Sequence, residues 1–165
     1  MTSVLDRYFD DLDVEFATTR RLLERFPEGH ADWKPHEKSM SLGRLATHVA
    51  ELPGFAETML TSDELDFATR PPAATTVRSA AELLTIHDRT AAAARAALVA
   101  MSAEKLDELW TLRAGDQVLL KDRRGKVLRQ HLVSHIAHHR GQLSVYYRLV
   151  GVALPWMYGP TADEM

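Results

Sequence analysis

The sequence predicts an all-α protein, a four-helix bundle with long connectors. Three observations carry that expectation. Apolar residues recur at three- and four-residue steps through four long segments, prolines, glycines and capping residues fall at the breaks between them, and no stretch alternates convincingly enough to demand a sheet. A chain of 165 residues, 45% apolar and 26% charged, has a single-domain length, with residues 1–165 as one unit able to bury a core without staples.

Val4, Leu5, Tyr8, Phe9, Leu12, Phe16, Leu22, Leu23 and Phe26 mark a first helix that ends before Pro27. Pro27 to Lys38 holds two prolines, a glycine and two isolated histidines, His30 and His36, and reads as a connector. Ser41 is a fitting N-cap for a second helix to about Leu60. Pro53 falls inside that segment and should kink it or locally rearrange its hydrogen bonds, because its ring clashes with the carbonyl four residues back. Pro71-Pro72 breaks the chain again. Ser79-Ala80-Ala81-Glu82 is a capping-box pattern opening an alanine-rich third helix to about Met101. Between Ser102 and Lys126 the expectation is a short helical turn at Glu104 to Glu108. An extended pair, Trp110–Leu112 and Val118–Leu120, follows around Gly115-Asp116. The last helix runs from about Lys126 to Val150, with Gly151 as its stop. Pro155 and Pro160 keep the tail from being helical throughout.

Composition narrows the function classes. A formal net charge of -3 gives no electrostatic reason to expect nucleic acid. The one cationic cluster, Lys121-Asp122-Arg123-Arg124-Gly125-Lys126, is short and reads as a solvated turn. With no cysteines, a metal site must be built from His, Asp, Glu and water, and the expected compartment is a reducing one. No apolar run approaches the about 18 residues of a membrane span, and the start has no signal-peptide core. The expectation is a cytoplasmic protein without nucleic-acid or membrane partners.

Four of the eight histidines, His131, His135, His138 and His139, lie in the last helix. On an ideal wheel His139 falls roughly 25° from the mean direction of Leu128, Leu132, Ile136, Leu143 and Val150, and His135 roughly 65°. His131 and His138 lie beyond about 100°, at the edge or outside. The inward pair is spaced i, i+4, so two imidazoles stack on one face, close enough to share a cation. Two buried neutral histidines satisfied by hydrogen bonds would fit the same spacing. On helix two, Leu45, His48, Leu52, Phe55 and Met59 follow a three-four rhythm, which puts His48 in an apolar seam as the best third ligand. Glu51, one turn on, is a candidate base or outer acceptor, with a solvated acid as the plainer reading. Gln142 and Tyr146 fall near the pair and are candidate hydrogen-bond donors; both are equally suited to fill the bundle edge, the favoured reading for Tyr146. His87 reads as structural or exposed. Arg140 and Arg148 read as serving solvent, an acidic partner or the tail.

His135-Ile136-Ala137-His138-His139-Arg140-Gly141-Gln142-Leu143, followed by Tyr146-Tyr147-Arg148-Leu149-Val150-Gly151, resembles the last-helix signature of the DinB-like (DinB/YfiT) superfamily. The tail Pro155 to Glu164, the Trp33-Lys34-Pro35-His36 segment and the Ser41 to Val49 segment are similar to corresponding parts of that family. The resemblance implies a four-helix bundle with a divalent metal, often zinc or nickel, on one histidine of helix two and two of the last helix. Those positions match His48, His135 and His139. It also implies a homodimer and a small-molecule substrate, and some relatives are transferases or isomerases that use low-molecular-weight thiols.

Three neutral imidazoles leave at least one coordination position open, as in catalytic zinc sites. A cation there would either activate water or hold a substrate thiol as thiolate. The expected function is therefore a metal-dependent thiol S-transferase-like enzyme acting on a small molecule, with Glu51 and Gln142 as candidate catalytic residues. The alternatives are a metal-dependent hydrolase and a non-catalytic, metal-stabilised stress-related bundle.

Overall fold

The computed structural model describes residues 4–69 and 76–164. The side chains of Val4, Leu5 and Phe9 and the Pro71-Pro72 break lie outside the described residues. Helix α1 spans Val4–Leu23 and gives way to two tight turns before Pro27. The second bundle position is filled by two helices, α2 (Leu42–Glu51) and α3 (Pro53–Thr61), that meet at Leu52. Pro53 is thus the first residue of α3, where its missing N–H is unneeded; Leu52 keeps helical angles at φ -54° and ψ -38°, so the break is the local rearrangement of hydrogen bonds that the proline implies. Ser41 caps α2, its hydroxyl accepting from the Arg44 amide at 3.3 Å. Helix α4 is Ala80–Ala100, capped as the sequence indicates: the Ser79 hydroxyl accepts from the Glu82 amide.

The last bundle position starts at α5 (Arg124–Leu128), passes through a π-helical turn at Arg129–Val133 and continues as α6 (Ser134–Leu149). Gly151, at φ 80°, stops it in a conformation that costs a glycine nothing. Among the described residues, six α-helices therefore occupy four bundle positions.

The expectation of an all-α chain needs correction, because a three-stranded sheet is present. Strand β1 (Glu64–Asp66) pairs in parallel with β2 (Leu109–Ala114), and β2 pairs antiparallel with β3 (Gln117–Arg123) around the Gly115-Asp116 turn. The hairpin covers the extended pair read from the sequence and is longer at both ends. The short helical turn before it is a 3-10 turn, Ala103–Asp107. The basic cluster is also not a solvated turn. It forms the end of β3 and the start of α5, and Arg124 is buried at 1% exposure. Its guanidinium donates to the carbonyls of Lys105, Met59 and Ser62 and pairs with Asp63 at 2.8 Å.

The core falls into two apolar clusters stacked along the bundle. One gathers Leu12, Phe16, Leu52, Met59, Leu98, Trp110, Leu128, Leu132 and Ile136 near the sheet. The other gathers Leu22, Leu23, Phe26, Leu42, Leu45, Val49, Leu83, Leu143 and Tyr147. The positions between them on α1, α4 and α6 hold the buried polar residues Glu15, Thr18, Thr19, His87 and Arg140. Arg140, 1% exposed, donates to the Glu15 carboxylate at 2.6 Å and to the Thr19 hydroxyl at 3.1 Å, and it meets the tail at the Tyr158 hydroxyl. Among the described residues no helix is long and apolar enough to cross a membrane.

Candidate metal centre

His48 on α2 and His135 and His139 on α6 come together, their potential ligand nitrogens all within 4.8 Å of one another. The i, i+4 spacing on α6 brings the two Nε2 atoms to 2.8 Å. The His48 ring lies edge-on to both, with centroids 5.5 Å from His135 and 4.6 Å from His139. Three things place His48: the Ser41 cap, the close packing of Gly43 on Ala31, and Thr47. A Cβ at Gly43 would lie 2.9 Å from Thr76 Cγ2 and 3.0 Å from Ala31 Cβ, so this turn of α2 can sit so close only with glycine. The Thr47 hydroxyl donates to Gly43 O at 2.7 Å and accepts from the Val77 amide at 3.0 Å.

The hydrogen bonds around the two α6 histidines determine their tautomers. His139 Nδ1 lies 2.8 Å from Gln142 Oε1, and His135 Nδ1 lies 3.3 Å from the His131 carbonyl. Both oxygens only accept, so both Nδ1 atoms carry hydrogen and donate. Each neutral ring then has its lone pair on Nε2, and these two lone pairs face each other at 2.8 Å. Such a pair repels unless a proton or a cation lies between them. Burial lowers the pKa of both rings, and the charge of neighbouring histidines adds to the effect. Neutral, cation-accepting imidazoles are therefore the favoured state. This is how outer hydrogen bonds orient metal-ligating histidines.

The site lies at the rim of the bundle, which corrects the wheel. The buried residues of α6 are Ile136, Arg140, Leu143, Ser144 and Tyr147. On an ideal helix their mean direction lies roughly 85° from His139 and roughly 125° from His135. The earlier direction included Leu128 and Leu132, which precede or lie within the π turn and so belong to a different phase. The larger part of the difference comes from Arg140, Ser144 and Tyr147, which are buried although polar or charged. Both ligand rings are accordingly only partly buried, and the site faces α2 with one side toward solvent.

The remaining candidates are distributed as follows. His131 and His138 are exposed, although the His138 ring packs 4.8 Å from that of His139. Gln142 accepts from His139 and does not donate to it. Glu51 Oε2 faces Arg44 Nη1 at 3.6 Å. Tyr146 fills the bundle edge, its ring against Trp33 and its hydroxyl 3.4 Å from the Met40 carbonyl. His87 is buried against Phe16, and His30 and His36 are exposed in the connector. Arg148 pairs with Asp163 of the tail, and Arg140 serves Glu15 and the tail, not solvent. Sequence reasoning missed Arg44. Its one signal was the four-residue step to His48.

A helical bundle with a small sheet and three histidines able to hold a metal between its second and last positions defines the class of this protein. The chain belongs to the DinB family, whose pattern matches residues 1–165. It is 27% identical over 165 residues to the uncharacterized protein YrdA of Bacillus subtilis (strain 168), covering 99% of this chain and 93% of that one. Its fold is similar to the crystal structure of a DinB-like protein from Bacillus cereus ATCC 10987, with TM-score 0.72 and 20% identity, covering 96% of this chain and 100% of that one. A DinB-like protein from Bacillus subtilis superposes with TM-score 0.67 and 22% identity, covering 92% and 97% of the two chains.

Proposed function

We propose that this protein is a divalent-metal enzyme of the thiol S-transferase type, holding zinc or nickel on His48, His135 and His139 and acting on a small molecule. The observation that carries the metal reading is the pair of Nε2 lone pairs converging at 2.8 Å, each fixed by a donor bond on the opposite side of its ring. Imidazole nitrogen suits zinc, copper, iron and nickel, and the chain offers no thiolate that would select a softer ion. When bound, the cation would supply a positive charge that holds a substrate thiol in its deprotonated, nucleophilic form.

The chain's own residues supply the rest. Gln142 and the His131 carbonyl keep both Nδ1 atoms protonated, so neither ring turns its donor toward the centre. The rim position leaves an approach from solvent, which suits turnover better than a sealed structural site. The thiol proton would leave to water by that route before the attack; the thiolate sulfur then forms its new bond to carbon and the leaving group departs with the old bond's electron pair. The outer face of α6 exposes Val145 and Leu149, at 57% and 60%, which supports a homodimer through that face.

Elemental analysis of untagged protein, repeated for His48→Ala, tests the metal. About one zinc or nickel per chain is expected, and it should be lost in the variant. Metal-free wild type from metal-replete medium would end the reading. Turnover of thiols with electrophiles above that of His139→Ala tests the reaction.

A further inference from the structure

We infer that Arg44 anchors a carboxylate on the small molecule that reaches the histidine centre, which makes it the residue that selects anionic thiols. This rests on the thiol reading above. Helices α2 and α6 run antiparallel at the site, since His48 meets His135 and His139 while Met40 meets Tyr146. Arg44, one turn before His48, therefore borders the same groove as Gln142, just beyond His139.

The Arg44 side chain does not extend along that groove. It turns back toward the C-terminal end of α2, where Nη1 comes within 3.6 Å of Glu51 Oε2. Seven residues span about 10.5 Å along the helix axis, and Arg44 and Glu51 lie only roughly 20° apart around it. The line joining them passes between Thr47 and His48, each roughly 50° to one side. Thr47 is buried and its hydroxyl is already committed to Gly43 and Val77. The guanidinium is thus held on the side of α2 that carries His48, roughly 50° around the helix from it.

Its hydrogen bonding there is incomplete. A separation of 3.6 Å balances charge without making a hydrogen bond. Nη1 is shielded from solvent and has no hydrogen-bond partner among the described residues. The side chain as a whole keeps 29% exposure, so a carboxylate arriving from solvent meets the open edge of the guanidinium, and a small turn of the side chain brings the unpaired Nη1 into the two parallel bonds of the planar fork. Glu51 already offsets one charge and would repel a dianion, so the geometry favours a carboxylate over a phosphate. The substrate class is then a small thiol whose carboxylate lies on Arg44 while its sulfur faces the three histidines.

The test uses the full-length protein loaded with cobalt(II), titrated separately with 3-mercaptopropionate and with 2-mercaptoethanol, which differ in the carboxylate. The readout is the sulfur-to-cobalt charge-transfer absorption. Wild type should bind 3-mercaptopropionate about tenfold or more tightly, the worth of one charge-assisted pair. Arg44→Gln should lose that preference while keeping cobalt stoichiometry and its affinity for 2-mercaptoethanol. Arg44→Lys, which has charge but no fork, should fall between and serves if the glutamine variant does not fold. Equal binding of the two thiols by wild type overturns the inference and leaves the thiol reading standing. So does a preference that persists in Arg44→Gln, because the carboxylate would then be held elsewhere. No charge-transfer band with either thiol overturns the thiol reading and this inference with it.

Discussion

Gln142 holds His139 through a side-chain oxygen, whereas His135 is held by the main-chain carbonyl of His131. That difference separates two substitutions. Gln142→Leu removes the acceptor that fixes the His139 tautomer and should weaken metal binding about 10- to 100-fold in chelator competition. His131→Ala keeps the carbonyl and should leave affinity unchanged. Equal effects from both would mean that the tautomer is set in some other way. His87 gives a prediction about pH. Burial lowers its pKa below 6.5, and its Nε2 has no hydrogen-bond partner among the described residues. The native state therefore holds the ring neutral, while the unfolded chain takes up a proton as pH falls through 6.5. Stability should be highest above that pH and should decline below it, until the native ring also protonates. His135 and His139 shift in the same direction and add to the slope, whereas the lowered carboxylates Asp13 and Asp163 act only below 3.8. Denaturant titrations of His87→Leu should show a shallower decline below pH 6.5 and no loss at neutral pH. An unchanged slope would remove His87 from the account. The triad was legible because two of its members share a helix face and the third interrupts an apolar seam. Arg140 was not legible, since a periodicity argument turns every charge outward and cannot see Glu15 waiting on α1.

At the scale of elements, the caps and stops were the most readable features. Ser41, Ser79 and Gly151 act through their own local chemistry and need no distant partner. Strand β1 is the opposite case. Glu64-Leu65-Asp66 is too short to show a period, and it is extended only because β2, 45 residues later, offers it a parallel edge. The π turn is equally silent in sequence, and it puts Leu128 and Leu132 out of phase with α6, although the rim position of the site comes mainly from the burial of Arg140, Ser144 and Tyr147. Arg124 joins several of these elements. It ties the end of α3, through Met59, Ser62 and Asp63, to the 3-10 turn at Lys105 and to the start of α5. Arg124→Met should lower stability by about 2 kcal/mol or more in urea unfolding, because it strands buried carbonyls. Arg124→Lys should recover only part of that, since an ammonium cannot reach the same acceptors in one plane. Wild-type stability in the methionine variant would show those carbonyls to be satisfied without the guanidinium.

At the scale of the whole molecule, the polar positions lie between two apolar clusters, and the bundle is held together there by directional contacts. On one side of α6, Arg140 joins α1 and the tail; on the other, the histidines bring α6 to α2. The first connection is made by the chain alone. The second has no direct bond of that kind: His48 meets the α6 histidines through ring contacts, while the two α6 lone pairs face each other at 2.8 Å, so without a cation to join the three rings the protein should be weakest between α2 and α6. A cation that binds only the folded form stabilises it by mass action, by about 2.7 kcal/mol at a free concentration 100 times Kd. For a chain of this length that corresponds to a rise of about 5–10 °C in Tm. Thermal melts of metal-stripped protein, with and without added zinc or nickel, should show that rise, and hydrogen exchange should slow most in α2 and α6. His48→Ala should lose the rise even though His135 and His139 remain, because two ligands on one helix bind without joining it to another. If the variant kept the full rise, the cation would be bound on α6 alone, and the contact between α2 and α6 would owe nothing to metal.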